Sequence, residues 1–193
     1  AIPPELKQHL QHHETTIAAY MRRPDGNSLP FYPLSSAQKT IWFLNQLAPH
    51  PNSYKIRFEA RLLSKVNVPA LKTALQLLID RHPSLRTTYT NLDGEPAQQI
   101  HDHQEINFEI IDSSGWPRER LRDVMQEIKG RPMQLETGPL FQAYLFSLPK
   151  GKYVLWLFLH HIMVDFLSLE MLINEFGKLY SGLSQGGSAD ECF

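Results

Sequence analysis

The run Tyr153-Val154-Leu155-Trp156-Leu157-Phe158-Leu159 constrains this chain more than any other segment. A strand of that composition has no polar side, so both of its faces have to be covered and it belongs at the centre of a sheet. It is also far too short to span a bilayer, which takes about 20 residues as a helix. Pro149-Lys150-Gly151-Lys152 precedes it as turn chemistry and joins it to a second apolar run, Leu140 to Leu148, so the two read as a hairpin. Two histidines, His160 and His161, end the strand, and Asp165, four residues past His161, can come back to the loop's own backbone or to an arginine.

Helices and strands alternate through the rest of the chain. Ser35 or Ser36 can cap a helix ending at Leu47, before Pro49 and Pro51. Tyr54, Ile56, Phe58, Ala60 and Leu62 alternate with Lys55, Arg57, Glu59 and Arg61, which predicts a strand with one buried face. A helix follows from about Val68, with Pro69 in its first turn and Leu71, Ala74, Leu75, Leu78 and Ile79 on one side. Arg86 to Leu92, Asp93-Gly94 and Pro96 to Ile100 carry a hairpin signal. Asn107 to Ile111 reads as a short strand, Pro117 opens a helix to about Lys129, and Ser168 can cap a last helix to about Tyr180. The sum is an α/β protein, a two-layer mixed-sheet sandwich. Residues 1–28 read as a peripheral helix or linker that ends in Pro24-Asp25-Gly26-Asn27-Ser28, residues 29–184 as the folded unit, and residues 185–193 as a frayed tail.

Charge removes one class of function. Nineteen Lys and Arg against 20 Asp and Glu leave a formal charge of -1, which does not supply the basic face that a broad grip on nucleic acid needs. The single cysteine, Cys192, excludes an intrachain disulfide framework and a CxxC zinc site, and makes a reducing, cytoplasmic compartment the simpler expectation. No apolar signal-peptide core or membrane-spanning run occurs in the sequence, so no membrane association is expected.

The segment from His160 to Asp165 is where chemistry is expected. Neighbours on an extended chain point to opposite faces, so only one of the two imidazoles can face a given cleft and the other needs a hydrogen bond inside the fold. Three readings stand side by side: two structural histidines at a strand end, a metal site, or acid/base chemistry by one neutral imidazole. Metal is disfavoured because adjacent histidines diverge, no HxH or HxxxH partner lies near them, and His101-x-His103 follows a hairpin where exposure explains it. A Ser-His-Asp hydrolase is disfavoured by the lack of a G-x-S-x-G elbow.

Four stretches carry a family resemblance. His160-His161-Ile162-Met163-Val164-Asp165-Phe166 resembles the HHxxxDG signature of the condensation domains of non-ribosomal peptide synthetases. Ser36-Ala37-Gln38-Lys39-Thr40-Ile41-Trp42-Phe43-Leu44 resembles that family's SxAQxR motif, and Arg81-His82-Pro83-Ser84-Leu85-Arg86-Thr87-Thr88-Tyr89 its RHExLRTxF motif. Arg131 to Leu140, with Leu135 and Gly138-Pro139-Leu140, resembles its PFDLxxGPL segment. The order is the family's. Two departures stand out: Phe166 replaces the signature glycine, and Lys39-Thr40 replaces x-Arg. If the loop needs glycine's positive backbone angles, Phe166 is expected to strain it.

The resemblance implies the N-terminal half of such a domain, shaped like a chloramphenicol acetyltransferase subunit, with the active-site tunnel between it and a C-terminal half. It implies amide formation between a donor acyl or peptidyl thioester and an acceptor amine, each carried on the 4'-phosphopantetheine arm of a carrier protein, with no cofactor bound directly. The implied partners are the two carrier proteins, the C-terminal subdomain and a neighbouring adenylation domain. His161 would face the tunnel as general base or as positioner of the amine, while His160 points inward. Asp165 would be structural, paired with Arg81 or, failing that, Arg86, and the backbone N–H of Phe166 could help to stabilise the oxyanion. The alternatives are a coenzyme A-dependent acyltransferase of the same superfamily and a non-catalytic docking module with this fold. On the leading reading the chain folds alone but does not catalyse condensation alone.

Overall fold

The computed structural model describes residues 31–47, 54–62 and 65–187. The helix or linker expected before residue 29, and the tail from residue 188, lie outside them. In chain order the elements are β1 (Phe31–Pro33), α1 (Ser36–Leu47), β2 (Lys55–Leu62), α2 (Val68–Arg81), β3 (Thr87–Leu92), β4 (Glu95–Ile100), β5 (Asn107–Asp112), α3 (Arg118–Gly130), β6 (Phe141–Leu148), β7 (Lys152–His160) and α4 (Phe166–Ser184).

The strands form two sheets. A four-stranded sheet runs β2-β7-β6-β5, and a three-stranded one runs β1-β4-β3. The larger is mixed: β7 is antiparallel to both β2 and β6, whereas β5 joins β6 in parallel. The all-apolar strand is therefore an interior strand, buried from Val154 to His160. Its register assigns the faces. Val154, Trp156 and Phe158 lie opposite Arg61, Glu59 and Arg57 of β2, and Leu155 and Leu157 lie opposite Ala60 and Phe58. Helix α3 lies over the Trp156 face: Lys129 places its ammonium 5.4 Å from the indole centroid, and Lys55 of β2 donates to the carbonyls of Lys129 and Arg131 at the end of the helix. Helices α2 and α4 pack against each other.

Local chemistry explains the element ends. Asn67 caps α2 by accepting the Ala70 N–H at 3.2 Å, with Pro69 in the first turn. The β3–β4 hairpin turns through Asp93 and Gly94, both at positive φ (52° and 93°), the geometry that matches the twist of the flanking strands. A single 3-10 turn, Pro83–Arg86, occupies the start of the expected strand, so β3 begins at Thr87. The last helix also differs from expectation. Its cap is Asp165 rather than Ser168, because the carboxylate of Asp165 accepts the Ser168 N–H at 2.8 Å and so makes Ser168 a first-turn residue, and the helix ends at Ser184.

Candidate active site

Strand β7 delivers the two histidines to different environments. The N–H of His160 donates to the Leu140 carbonyl at 3.1 Å, and the N–H of His161 donates to the Tyr54 carbonyl at 2.7 Å. Successive amides thus reach to opposite neighbours, as in a strand, and the side chains go to opposite faces. His160 is buried at 2% exposure, on the α3 side of the sheet, with its ring centroid 6.3 Å from that of Tyr54. Its Nδ1 accepts the Ile162 N–H at 3.2 Å, so this nitrogen carries no proton and the loop's turn depends on a neutral ring. Burial, and secondarily the charge on His161, push its pKa down to about 4.

His161 is exposed. Its Nδ1 lies 2.8 Å from the Val164 carbonyl, three residues ahead in the same loop. A carbonyl oxygen only accepts, so Nδ1–H is the donor and the neutral ring keeps its lone pair on Nε2. The loop closes on its own histidine and leaves Nε2 of the neutral ring as the available acceptor.

The loop is itself held from distant parts of the chain. Its Ile162 carbonyl accepts from Gln38 Nε2 at 3.2 Å and from the Tyr89 hydroxyl at 3.4 Å, and Gln38 also donates to that hydroxyl at 3.4 Å. Burial pushes the Tyr89 phenol up, so it stays a neutral donor. The N–H of Tyr89 donates to the Leu135 carbonyl at 2.8 Å. All four stretches singled out in the sequence therefore meet at one loop: Gln38 from the first, Tyr89 from the second, Leu135 and Leu140 from the third, and His160 to Asp165 from the last. Below the loop a 150 Å³ cavity opens among His82, Ser84, Met163, Val164, Ser168, Met171 and Leu172.

The arginine pairing implied for Asp165 differs from what the structure shows. Of the two partners open to Asp165, the nearby backbone or an arginine, the described residues show the first: it is exposed and caps α4. The amide N–H and the hydroxyl of Ser168, and secondarily the charge of His161, hold its carboxyl below the usual range. Arg81 meets Glu175 of α4 at 3.2 Å, beside His82, whose Nε2 is 2.7 Å from the other oxygen of that carboxylate. Arg86 donates to the His101 carbonyl at 2.8 Å and ties the open end of the β3–β4 hairpin. An ion pair would have had to bridge the loop to α2, whereas the helix start offers Asp165 a nearer N–H.

Phe166 also departs from expectation. The described non-glycine residues at positive φ are Tyr54, Asp93 and Lys150, so Phe166 requires no glycine-like geometry. It is the first residue of α4 and is 76% exposed. The strained residue next to the site is Tyr54, at φ 60°, whose carbonyl receives the His161 N–H. Gln38 and Tyr89 are the residues whose roles the sequence did not assign. Their signal was their place inside the first and second motifs, but nothing local said that both would bond one carbonyl.

Comparison with known proteins gives the family. Residues 29–192 match the Condensation domain family, and the chain belongs to it. It is 35% identical over 152 residues to tyrocidine synthase 3 of Brevibacillus parabrevis, a match spanning 79% of this chain and 2% of that protein. It is 34% identical over 154 residues to bacitracin synthase 2 of Bacillus licheniformis, spanning 78% of this chain and 6% of that protein. Among solved structures, the starter condensation domain of rhizomide synthetase superposes with a TM-score of 0.74 at 25% identity, over 82% of this chain and 40% of that one. The first condensation domain of the CDA synthetase superposes with a TM-score of 0.73 at 22% identity, over 84% of this chain and 42% of that one. The chain thus spans a few per cent of the curated synthetases and about two fifths of each solved domain, and its α/β fold is the one those domains share.

Proposed function

We propose that this chain supplies the histidine-bearing N-terminal half of a non-ribosomal peptide synthetase condensation domain. The reaction is transfer of an acyl or peptidyl group from a carrier-bound thioester to a carrier-bound aminoacyl amine. The amine nitrogen forms a bond to the thioester carbonyl carbon, the C–S bond breaks, and the proton lost by the amine passes to Nε2 of His161 and on to the leaving thiolate. The single observation that carries this reading is the Nδ1–H bond from His161 to the Val164 carbonyl, which leaves Nε2 as the basic nitrogen of an exposed ring. His160, Gln38 and Tyr89 position the loop. Asp165 acts through the start of α4, where the N–H of Phe166 belongs to a first turn that has no intrahelical acceptors and is suited to a developing oxyanion.

The test is amide formation by the complete domain carrying these residues, supplied with a loaded donor carrier and an aminoacyl acceptor carrier. His161→Ala is expected to lower kcat by about 10²- to 10⁴-fold with the unfolding transition unchanged. Full activity in that variant would remove the proton-transfer role. Equal turnover with a coenzyme A thioester, and no need for the acceptor carrier, would point to the free acyltransferase instead.

A further inference from the structure

Strand β7 has a second lined hollow, at its other end. Beside the β6–β7 hairpin, between β2, β7 and α3, a groove of 570 Å³ opens on the Trp156 face of the large sheet. Lys152 begins β7 and His160 ends it. At about 3.3 Å per residue, the groove's lining on β7 runs from roughly 26 Å to roughly 13 Å along the strand from His160, on the face opposite His161. The hollow belongs to a different region from the candidate active site.

Its composition is one-sided. Arg57 and Arg61 of β2, Lys129 of α3 and Lys152 of β7 line it, against one carboxylate, Glu59. That carboxylate is already engaged, accepting the Trp156 indole N–H at 3.0 Å and meeting Arg57 at 3.5 Å. Among the described residues no carboxylate pairs with Arg61, Lys129 or Lys152. Arg57 and Lys129 stand 4.9 and 5.4 Å from the centroid of the Trp156 ring, so the cations gather over an aromatic floor. Leu121 and Met125 of α3 supply an apolar wall. In a chain whose formal charge is -1, this is a local excess of three positive charges around an apolar hollow.

We propose that this groove binds a small amphipathic anion, a carboxylate or phosphate on an apolar body. Charge complementarity selects the head group: among the described residues three cations lack a counterion, and the one carboxylate that lines the groove, Glu59, is spent on Arg57 and the indole. Volume selects a small molecule, since 570 Å³ falls within the roughly 300–1,000 Å³ of ordinary ligand pockets. The apolar wall of α3 and the indole take the body of the ligand, and the rim of Arg61 and Lys152 takes its charge.

The experiment titrates the 193-residue chain, labelled with 5-fluorotryptophan, with decanoate below its micellar concentration and separately with 1-naphthyl phosphate. The two probes distinguish a carboxylate from a phosphate head. The expected result is a saturable shift of the Trp156 resonance with either or both, and a Kd raised at least tenfold in Arg61→Ser/Lys152→Ser. Both substituted side chains are exposed, so folding is retained, and the unchanged spectrum of the unliganded variant checks this. Binding is expected to weaken in high salt, to be absent with decanol or 1-naphthol, and to survive His161→Ala. Non-saturating shifts, equal binding of the neutral alcohols, or an unchanged Kd in the double variant would overturn the proposal. Loss of binding in His161→Ala would place the probe at the histidine loop and overturn it equally, without touching the acyl-transfer reading.

Discussion

At its C-terminal end β7 runs into a loop tied by its own hydrogen bonds and by two side chains from distant segments, while towards its N-terminal end it borders a groove where, among the described residues, three cations have no carboxylate partner. The Ile162 carbonyl is bonded by Gln38 and Tyr89, His160 Nδ1 by the Ile162 N–H, and His161 Nδ1 by the Val164 carbonyl. At the hairpin end, Arg61, Lys129 and Lys152 face a groove with one carboxylate that is already used. The first arrangement fixes geometry before a substrate arrives, as positioned proton transfer requires. The second keeps its charge available. One end is built to hold an atom in place and the other to attract a ligand.

The largest effect separates the two ends by what each needs from the rest of a domain. On the reading proposed here the tunnel lies between two halves, so the 193-residue chain alone is expected to form no measurable amide from two loaded carriers. Positioning of reacting groups is worth roughly 7–11 kcal/mol, and half a tunnel provides little of it. Groove binding, in contrast, uses only β2, α3 and β7 and is expected in the chain alone. Product formation by the lone chain at the rate of the complete domain would break the comparison at the loop end.

A smaller effect comes from His160. Its folded pKa of about 4 lies below the ordinary value of 6.5, because burial disfavours the charged ring. Between these values the unfolded chain binds a proton that the folded chain does not, so stability falls as pH drops below 6.5 and the loss is complete near pH 4. The expected loss is about 2 kcal/mol by pH 5 and about 3 kcal/mol in full. Urea unfolding at pH 7 and pH 5 measures it. His160→Asn, which keeps an acceptor for the Ile162 N–H, is expected to lose most of that pH dependence, and an equal dependence in both proteins would show that the ring is not the group responsible.

The legibility of the two ends in the sequence follows the same division. The central position of β7 could be read because an all-apolar strand has to be covered on both sides, and the histidines' divergence could be read because alternation is a property of the strand itself. The strand–helix order and the Asp93-Gly94 hairpin are likewise local. What could not be read was set by contacts between segments far apart. Nothing near Gln38 or Tyr89 says that both meet the Ile162 carbonyl, and the parallel pairing of β5 with β6 leaves no mark in either strand. The groove was invisible for a different reason. Arg57 and Arg61 satisfied the polar side of an alternating strand, and Lys129 sat on an ordinary mixed-charge helix, so each cation had a bland local explanation until the fold brought them around one groove.

Asp165 gives the smallest effect and the sharpest test of the loop end. The two arginines of the Arg81–Tyr89 stretch invite an ion pair with this aspartate, yet its carboxylate is exposed and accepts the Ser168 N–H at the start of α4. The two roles respond differently to one conservative change. A cap needs an acceptor oxygen but no charge, so Asp165→Asn is expected to unfold within a degree or so of the parent, because Asn and Asp are comparable helix caps. Asp165→Ala removes the acceptor and is expected to lower the unfolding midpoint by a few degrees, as loss of one cap does in a domain of this size. An ion pair needs the charge, so if one dominated, Asn and Ala would be equally damaging and the damage would shrink in high salt. Thermal unfolding of the two variants at low and high ionic strength separates these outcomes. Equal, salt-sensitive losses would return Asp165 to an arginine, and a gap between Asn and Ala that salt leaves unchanged keeps it as the residue that starts α4 directly behind His161.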